Sequence, residues 1–316
     1  MTPSPAAPSA GLLLLDTPSL YFRAFYGIPE SVTAPDGSPV NAIRGLLDFI
    51  SFFVERYRPS HVVACMDADW RPAFRVDLLP TYKAHRVAPT GGETVPDALT
   101  PQVVVIEQVL DAIGLCRLGV PGFEADDVIA TLAVRATGPV DVVTGDRDLF
   151  QLVDDAKPVR IVYTARGVGK AELIDEAAVT AKYGIPGRAY ADFAVLRGDP
   201  SDGLPGVAGI GDKTAAALVS RFGSLVSMLS ALESDSDAGF PAGTRTKLRA
   251  SLGYLESARV VVATRTDVPI GELDDMLPRR IHDEQGLLDL IQRYGLGTPA
   301  ARLLTALNIS PAAAAT

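Results

Sequence analysis

Three short apolar runs in this chain each end in an aspartate. A short apolar run bounded by turn residues is typical of a buried strand. The runs and their acids are residues 11–15 with Asp16, residues 61–66 with Asp67, and residues 140–145 with Asp146 and Asp148. In open α/β sheets, ligands bind in the crevice outside the carboxyl ends of the strands. The pattern therefore predicts an α/β fold with carboxylates gathered at one edge of its sheet.

Strands alternate with helices along the first half of the chain. The predicted strands are the three apolar runs together with residues 115–120 and Val159–Tyr163, and the predicted helices are residues 40–57, 100–114 and 124–136. We expect Ser38 to cap the first helix and Pro39 to take its first position. Such alternation predicts a mainly parallel central sheet flanked by helices on both faces.

The composition changes near residue 175, after which helix follows helix. These predicted helices are Glu176–Tyr183, 189–197, Asp212–Phe222, 224–232, 244–263, 283–294 and 299–307. Residues 67–99 lack regular hydrophobic periodicity, so we expect a long mobile excursion there. The predicted divisions are a disordered tail (1–10), an α/β core (11–175) that includes the excursion, a helical region (176–265) and a C-terminal helical segment packed back on the core (266–316).

The composition is that of a globular protein, with 47% hydrophobic and 21% charged residues. No stretch approaches the roughly 18 consecutive apolar residues that a membrane span needs, and the N-terminal stretch lacks the pattern of a signal peptide. Two cysteines, Cys65 and Cys116, lie far apart in the sequence, which is typical of reduced thiols. We expect a cytoplasmic monomer that does not contact membranes.

The net charge of −9 argues against a nucleic-acid partner when it is taken over the whole chain. Its local distribution argues differently, because residues 70–86 form a basic island. The charged and titratable residues there are Arg71, Arg75, Asp77, Lys83, His85 and Arg86. Lys83 and Arg86 would share one face if their segment is helical, and could bind phosphates. The alternative is a solvated surface, which is the commoner role of a charge run.

Two more acidic clusters lie in neighbouring segments, Glu124 with Asp126 and Asp127, and Asp199 with Asp202. Taken singly, acids in the first turn of a helix are stabilised by its dipole, and Asp16 can simply cap the next helix. Gathered together, nine carboxylates would repel one another, by roughly 4 kcal/mol for a pair about 4 Å apart at an effective dielectric of 20. Such a cluster requires hard cations.

Magnesium or manganese fits this set of ligands better than zinc does. Oxygen ligands suit Mg²⁺ and Mn²⁺, whereas three histidines and two scattered cysteines offer no zinc spacing. Paired metal ions about 3.5–4 Å apart can stabilise the attacking and leaving oxygens of a phosphodiester displacement. The first hypothesis is therefore a multi-metal carboxylate site.

A glycine-rich segment, residues 206–214, leads into a predicted helix. It departs from the P-loop spacing because Asp212 separates Gly211 from Lys213. The pattern fits a helix–hairpin–helix, in which backbone N–H groups at a helix N-terminus bind a phosphate. The alternative is a glycine-rich connection between two core helices.

Several motifs in a fixed order resemble those of the bacterial and phage 5′-nuclease (flap endonuclease) family, which includes the 5′-nuclease domain of DNA polymerase I. The resemblance covers roughly residues 11–300. The matching segments are residues 14–16, 21–25, 66–67, 74–75, 82–86, 122–127, 144–149, 198–202 and 204–214.

The resemblance implies a role for each matching residue. The first-site metal ligands or their close support would be Asp16, Asp67, Glu124, Asp126 and Asp127. The second-site group would be Asp146, Asp148, Asp199 and Asp202. Lys83 and Arg86 would hold the scissile phosphate from a helical arch. The DNA contacts would come from Arg23, Arg44, Arg75, Tyr82, Lys83, Arg86, Gly206, Gly209, Gly211, Lys213 and Thr214. Family members can also bind K⁺ through the hairpin carbonyls.

The implied activity is that of a stand-alone, divalent-metal-dependent, structure-selective 5′-nuclease. It would remove 5′ flaps and 5′-terminal nucleotides from branched or nicked DNA, and RNA primers. Arg44 stands where relatives often have an aromatic residue, and a guanidinium can also stack on a base. Two alternatives remain: a catalytically weak or inactive branched-DNA-binding relative, and a ribonuclease of related sheet architecture, a class that seldom carries the hairpin.

Overall fold

A six-stranded sheet forms the centre of the molecule. The computed structural model describes residues 11–233 and 239–310, so the predicted tail at 1–10 lies outside the described residues. The strands are β1 (Leu12–Asp16), β2 (His61–Cys65), β3 (Arg117–Leu118), β4 (Val140–Thr144), β5 (Val159–Tyr163) and β6 (Glu172–Ile174). Their order is β3-β2-β1-β4-β5-β6, and every pair is parallel except β5 with β6. The predicted mainly parallel α/β fold is confirmed.

Helices cover both faces of the sheet. They are α1 (Thr17–Gly27), α2 (Asn41–Tyr57), α3 (Ala73–Leu78), α4 (Thr100–Ile113), α5 (Ala125–Arg135), α6 (Glu176–Tyr183), α7 (Tyr190–Arg197), α8 (Asp212–Phe222), α9 (Leu225–Glu233), α10 (Thr244–Ala250), α11 (Leu252–Val262), α12 (Glu284–Tyr294) and α13 (Gly297–Ala306). Successive strand residues point to opposite faces. In β1, Leu13 and Leu15 belong to the hydrophobic cluster that also contains residues of α2, α4 and α13. Leu14 belongs to the cluster on the opposite face, which contains residues of α5, α7 and α8. Because both faces are buried, the strands read as continuous apolar runs.

The strand order reverses between β1 and β4. From β1 the chain moves outward through β2 and β3, and then returns to the other side of β1 as β4. In α/β sheets, the crevice at the carboxyl ends beside such a switch is a ligand site. Asp16 ends β1, and Asp146 follows the end of β4 two residues on. The two acids therefore flank this switch point.

The predicted cap of α2 was wrong. The Asp36 carboxylate accepts the Ser38 N–H (2.9 Å) and forms an Asx turn. Pro39 then pairs with Thr33 in an isolated bridge. These contacts keep the backbone out of the helix until Asn41.

Two elements of the second half also differ from prediction. The helix predicted at 244–263 is two helices, α10 and α11, which meet at Ser251. Strand β6 was not predicted, because it is three residues long and pairs only at the edge of the sheet. Among the described helices, none alone is long and apolar enough to span a membrane. Helices α8 and α9 taken together have the required length and composition, but the chain bends by 80° between them.

The excursion at residues 67–99, the arch segment, contains local structure. It carries α3, and Thr94 N–H donates to the Arg86 carbonyl (2.6 Å) to close a short hairpin. The expected helical face for Lys83 and Arg86 was wrong. Lys83 has φ +48°, in the left-handed region, and only a 3-10 turn, Ala84–Arg86, follows it.

Candidate metal centre and nucleic-acid interface

Asp16 lies at the bottom of the crevice and is 4% exposed. Its Oδ1 accepts the Ser19 N–H at the start of α1 (3.2 Å), and its Oδ2 accepts the Thr144 hydroxyl at the end of β4 (2.6 Å). Burial raises the pKa of Asp16 to about 7 against the hydrogen bond from Thr144, and the nearby Asp67 and Asp146 add to the rise. The sheet therefore holds this carboxylate beside other acids, and its hydrogen bonds to Thr144 and Ser19 offset the rise in its pKa only in part.

Asp126 and Asp148 have the same kind of surroundings. Burial raises the pKa of each carboxyl well above its usual range, and the neighbouring acids Asp16 and Asp146 raise that of Asp126 further. Among like charges, Asp146 raises the pKa of Asp148 most. The Oδ1 atom of Asp148 is buried without a hydrogen-bond partner. An unpaired buried polar atom is costly, so these acids are the part of the cluster that a cation would stabilise most.

Asp67 and Asp146 lie at the mouth of the crevice, where their side chains are exposed. Asp67 Oδ1 accepts the Ala125 N–H at the start of α5 (2.7 Å), and Asp146 Oδ1 accepts the Asp148 N–H (2.9 Å). A helix N-terminus favours negative charge, which helps to hold Asp67 in place. The backbone thus orients both carboxylates through one oxygen each.

Glu124 and Asp127 form a buried ion-pair network with Arg75. All three side chains are 5% exposed or less. Arg75 binds Asp127 through both Nη atoms (2.7 Å each) and binds Glu124 through Nη1. Asp127 also accepts the backbone N–H groups of Arg265 (2.8 Å) and Glu124 (3.3 Å), so both of its oxygens are engaged. We therefore interpret Asp127 as support for Glu124. The guanidinium of Arg75 is therefore engaged inside the protein, and its DNA contact stays a prediction.

Tyr82 and Lys83 reach the same glutamate. Tyr82 is 5% exposed and donates its hydroxyl to Glu124 Oε2 (2.9 Å). Its DNA contact stays a prediction. Lys83 Nζ forms an ion pair with Glu124 Oε1. Burial lowers the pKa of Lys83, but Tyr82, Glu124 and Asp202 outweigh it and leave the pKa well above its usual range. The ammonium therefore stays charged among the carboxylates.

Asp199 is balanced by arginines. It is 3% exposed, and its Oδ1 accepts the Ser201 N–H (3.0 Å). Its Oδ2 lies 3.3 Å from Arg197 Nη2 and 3.6 Å from Arg147 Nη2. Two guanidiniums and a backbone donor satisfy this carboxylate, so we interpret it as support for the second metal group.

Asp202 connects its turn to the arch segment. Arg86 Nη2 donates to Asp202 Oδ1 (3.1 Å) and to the Ser201 carbonyl (2.8 Å). The Asp202 carbonyl accepts the Lys83 N–H (2.9 Å). Arg86 is thus placed at the second-site turn, and Lys83 is placed between that turn and Glu124.

The acids therefore divide into two kinds. Glu124, Asp127, Asp199 and Asp202 have cationic partners, whereas burial and like charge dominate around Asp16 and its neighbours. Within the described ranges, no group of three His, Cys, Asp or Glu side chains is arranged to hold an ion as it stands. The oxygen donors and the unpartnered Asp148 Oδ1 nevertheless fit a hard divalent cation, which prefers carboxylates.

The glycine-rich segment leads directly into α8, as predicted. Gly209, Gly211 and Lys213 are exposed there, and Thr214 is half-buried. Gly206 differs, because its N–H donates to the Tyr254 hydroxyl (3.1 Å). Its N–H is therefore engaged within the protein, and its DNA contact stays a prediction.

Arg23 and Arg44 belong to α1 and α2, which cover the face of the sheet opposite the hairpin. Arg23 lines a groove of about 750 Å³ with Tyr26 and Arg166, and donates to the Ala165 carbonyl (3.2 Å). Arg44 donates to the Gly295 carbonyl (3.2 Å), which ties α2 to the C-terminal segment. Each contact uses one Nη atom of the guanidinium, so DNA binding by both arginines stays a prediction.

Sequence reasoning missed several side chains around the cluster. They include Thr144 on Asp16, the pair Arg147 and Arg197 on Asp199, and Glu93 of the arch segment. Burial raises the pKa of Glu93, and Asp67 adds to it, so this acid also lies near the crevice. Of these side chains, Arg147 could have been noticed in the sequence, because two acids flank it just beyond the end of a predicted strand.

Comparisons with known proteins agree with this geometry. The model of the 5′-3′ exonuclease N-terminal resolvase-like domain matches residues 11–184, and that of the 5′-3′ exonuclease C-terminal SAM fold matches residues 185–284. The chain is 57% identical over 301 residues to a 5′-3′ exonuclease of Streptomyces coelicolor, covering 94% of this chain and 100% of that protein. It is 40% identical over 270 residues to DNA polymerase I of Mycobacterium bovis, covering 84% of this chain and 28% of that one. The structure of flap endonuclease-1 from Methanococcus jannaschii shares the fold, with a TM-score of 0.60 at 16% identity over 95% of this chain and 93% of that one.

The chain therefore belongs to the 5′-3′ exonuclease family. It is a 5′-nuclease. The resemblance read from the motifs is confirmed.

Proposed function

We propose that this protein uses Mg²⁺ or Mn²⁺ to remove 5′ flaps and 5′-terminal nucleotides from branched, nicked and RNA-primed DNA. The observation that carries the proposal is the set of acids at the switch point, Asp16, Asp126 and Asp148, whose pKa burial and neighbouring acids raise. The Lys83 ammonium offsets this only in part at Asp126 and Asp148. The high identity to an exonuclease over the full chain favours an active enzyme over an inactive DNA-binding relative.

The acids would divide the work of holding the metal ions. When bound, paired divalent ions supply a nucleophile from water and neutralise the leaving oxygen. The residues that would hold them are Asp16, Asp67, Glu124, Asp126, Asp146, Asp148 and Asp202. Asp127 would support Glu124 through Arg75, which binds both acids, and Asp199 would be held beside the second group by Arg147 and Arg197.

Lys83 and Arg86 would act on the scissile phosphate. A lysine binds phosphate as a point charge, whereas an arginine can bind two oxygens at once. Lys83 can exchange its contact with Glu124 for a phosphate, because its ammonium is charged and lies among the metal-site acids. Arg86 is 35% exposed and can reach outward from Asp202.

The hairpin would hold duplex DNA. Gly209, Gly211, Lys213 and Thr214 lie at or before the N-terminus of α8, where backbone N–H groups and the helix dipole favour phosphate. Contacts to phosphate carry no base information, so we expect slight sequence preference. We propose that the chain is divided into a nuclease core (11–175) that includes the arch segment (67–99), a DNA-binding region (176–265) and a C-terminal segment (266–316).

A substrate panel tests the proposal. Matched 5′-labelled oligonucleotides would present a 5′ flap, a nick, an RNA primer, a blunt duplex and a single strand, each with Mg²⁺, Mn²⁺ or EDTA. We expect cleavage of the flap, the nick and the RNA-primed end in both metals, little cleavage of the single strand, and none in EDTA. Equal rates on all five DNAs would contradict structure selectivity.

We also propose K⁺ at the hairpin carbonyls. Lys247 Nζ already donates to the Gly209 carbonyl (3.1 Å), so K⁺ would share the hairpin with an ammonium. Duplex affinity measured in Ca²⁺ should be higher in KCl than in NaCl at equal ionic strength, and Lys247→Met should enlarge the difference. Equal affinity in both salts for both proteins would exclude a K⁺ site.

We propose further that the protein is a cytoplasmic monomer. Cys65 is buried and Cys116 half-buried, and both are free thiols, as is usual in a reducing compartment. Sedimentation equilibrium should give the mass of one chain across micromolar concentrations. A concentration-dependent dimer would contradict this.

A further inference from the structure

Two buried polar atoms of neighbouring elements lack hydrogen-bond partners. Tyr190, the first residue of α7, is fully buried and its hydroxyl has no partner. The Oδ1 atom of Asp148 is in the same state. Most buried polar atoms in folded proteins are paired, and each exception costs about 1–3 kcal/mol. Of these two unpaired atoms, the Tyr190 hydroxyl is a donor and Asp148 Oδ1 is an acceptor.

The two residues belong to elements that pack together. Asp148 opens a 3-10 turn, Asp148–Leu152, which packs against α7. Phe150 of that turn meets the Tyr190 ring edge to face, with centroids 5.4 Å apart. Tyr183 (5.2 Å) and Phe193 (5.8 Å) hold the ring from other directions. These contacts fix the ring, and phenylalanine would satisfy them equally, so packing alone does not explain the hydroxyl.

The hydroxyl keeps its proton in this setting. Burial raises the pKa of Tyr190, and the neighbouring Tyr183 and Asp148 raise it further. Tyr190 is therefore a neutral donor at any pH at which the nuclease works. A neutral donor can hold a carboxylate without cancelling the charge that a metal ion needs. Asp199, in contrast, already has two arginines.

We propose that Tyr190 is a positioning residue for the metal site, and that its hydroxyl donates to Asp148 through one water and so fixes the orientation in which this carboxylate meets a divalent ion. Groups that orient metal ligands in this way affect metal affinity or activity by about 10–100-fold. The inference rests on the proposed metal-dependent nuclease function.

The test compares Tyr190→Phe with Tyr183→Phe, a matched control in the same aromatic cluster. We expect Tyr190→Phe to raise the Mn²⁺ concentration for half-maximal flap cleavage by about 10-fold and to leave the KM for DNA unchanged. Mn²⁺ binding measured by calorimetry without DNA should weaken by the same factor. The control should match wild type in both measurements.

A hydroxyl without this role predicts a different result. Removing an unpaired buried polar atom would then leave Tyr190→Phe as stable as wild type or more stable, with unchanged Mn²⁺ binding, and that outcome overturns the inference. A double-mutant cycle guards against a folding defect. Tyr190→Phe should cost no further Mn²⁺ affinity once Asp148→Asn is present, whereas an equal cost in both backgrounds contradicts the proposal. If wild type binds Mn²⁺ but cleaves no DNA, the proposed function fails, while the binding comparison still decides the role of Tyr190.

Discussion

Adjacent acids of α5 have opposite surroundings. Asp126 faces Asp16 and Asp146 across the crevice, whereas Asp127 binds Arg75 with both oxygens. Neighbouring residues on an α-helix point about 100° apart, which accounts for the divergence. Asp127 therefore serves the stability of the fold, and Asp126 adds to the charge that metal ions would neutralise.

The Arg75 network gives a stability prediction. Arg75→Ala leaves Glu124 and Asp127 buried without their cation, and breaking a buried pair in this way costs about 3–5 kcal/mol. Urea unfolding should show that loss. Arg166→Ala removes an exposed pair with Glu172 (3.2 Å) and is the control, with an expected change below about 1 kcal/mol. A loss from Arg75→Ala as small as that of the control would contradict the assignment.

Asp16 gives a prediction about pH. Its pKa is raised from 3.8 to about 7 in the fold, so the native state binds its proton more tightly than the unfolded state. The stability from this group is present below about pH 4 and is lost as the pH rises through about 7. In EDTA, Asp16→Asn should therefore lose less stability than wild type between pH 5 and pH 8.

Urea unfolding at the two pH values measures this difference. The exposed Glu256→Gln is the matched control and should keep the wild-type pH dependence. An Asp16→Asn profile parallel to that of wild type would refute the role of the Asp16 carboxyl.

At the level of elements, the arch segment is fastened to the second-site turn through the backbone. The Lys83 N–H donates to the Asp202 carbonyl (2.9 Å). Gly203 has φ +73°, and a Cβ there would lie 2.2 Å from the Thr81 carbonyl oxygen. The arch base and the turn that carries Asp202 are therefore packed as one unit, which sets the position of Lys83 relative to the acids.

Gly203→Ala should disrupt this junction. Gly37→Ala is the control, since Gly37 also has positive φ (+87°) but a Cβ there meets nothing within 4 Å. Both substitutions incur backbone strain of about 1 kcal/mol, and only Gly203→Ala adds the collision. We expect Gly203→Ala to slow flap cleavage by more than about 10-fold, which corresponds to 1.4 kcal/mol in the barrier, and Gly37→Ala to leave the rate near wild type. Equal rates for the two variants would show that the junction does not position Lys83.

The sequence predicted elements where local pattern decides them. Strands β1 to β5 and helices α6 to α8 were found because buried runs and helical periodicity are local signals. The left-handed conformation of Lys83 could not be predicted in this way, because it depends on contacts with Glu124 and Asp202, which are far away in the chain. In the same way, the nine acids could be found from their motifs. Which of them form ion pairs (Glu124, Asp127, Asp199 and Asp202) depends on basic residues of other elements.

For the whole molecule, the acidic net charge and a DNA substrate are compatible. Nine of the 38 acids belong to the crevice motifs, where metal ions would neutralise them. The exposed hairpin carries Lys213, and Lys247 lies against it. DNA affinity is thus expected from local basic groups on the helical region, with the crevice between that region and the switch point of the sheet.

The most direct measurement of the central claim is cleavage of a labelled 5′-flap DNA by wild type and Asp148→Asn. The account predicts that wild type cuts near the branch in Mn²⁺ and not in EDTA. Asp148→Asn should lose at least about 100-fold in rate while binding the flap DNA as tightly in Ca²⁺ and unfolding at the same temperature. Binding without cleavage by wild type in every metal, or a variant as fast as wild type, would contradict it.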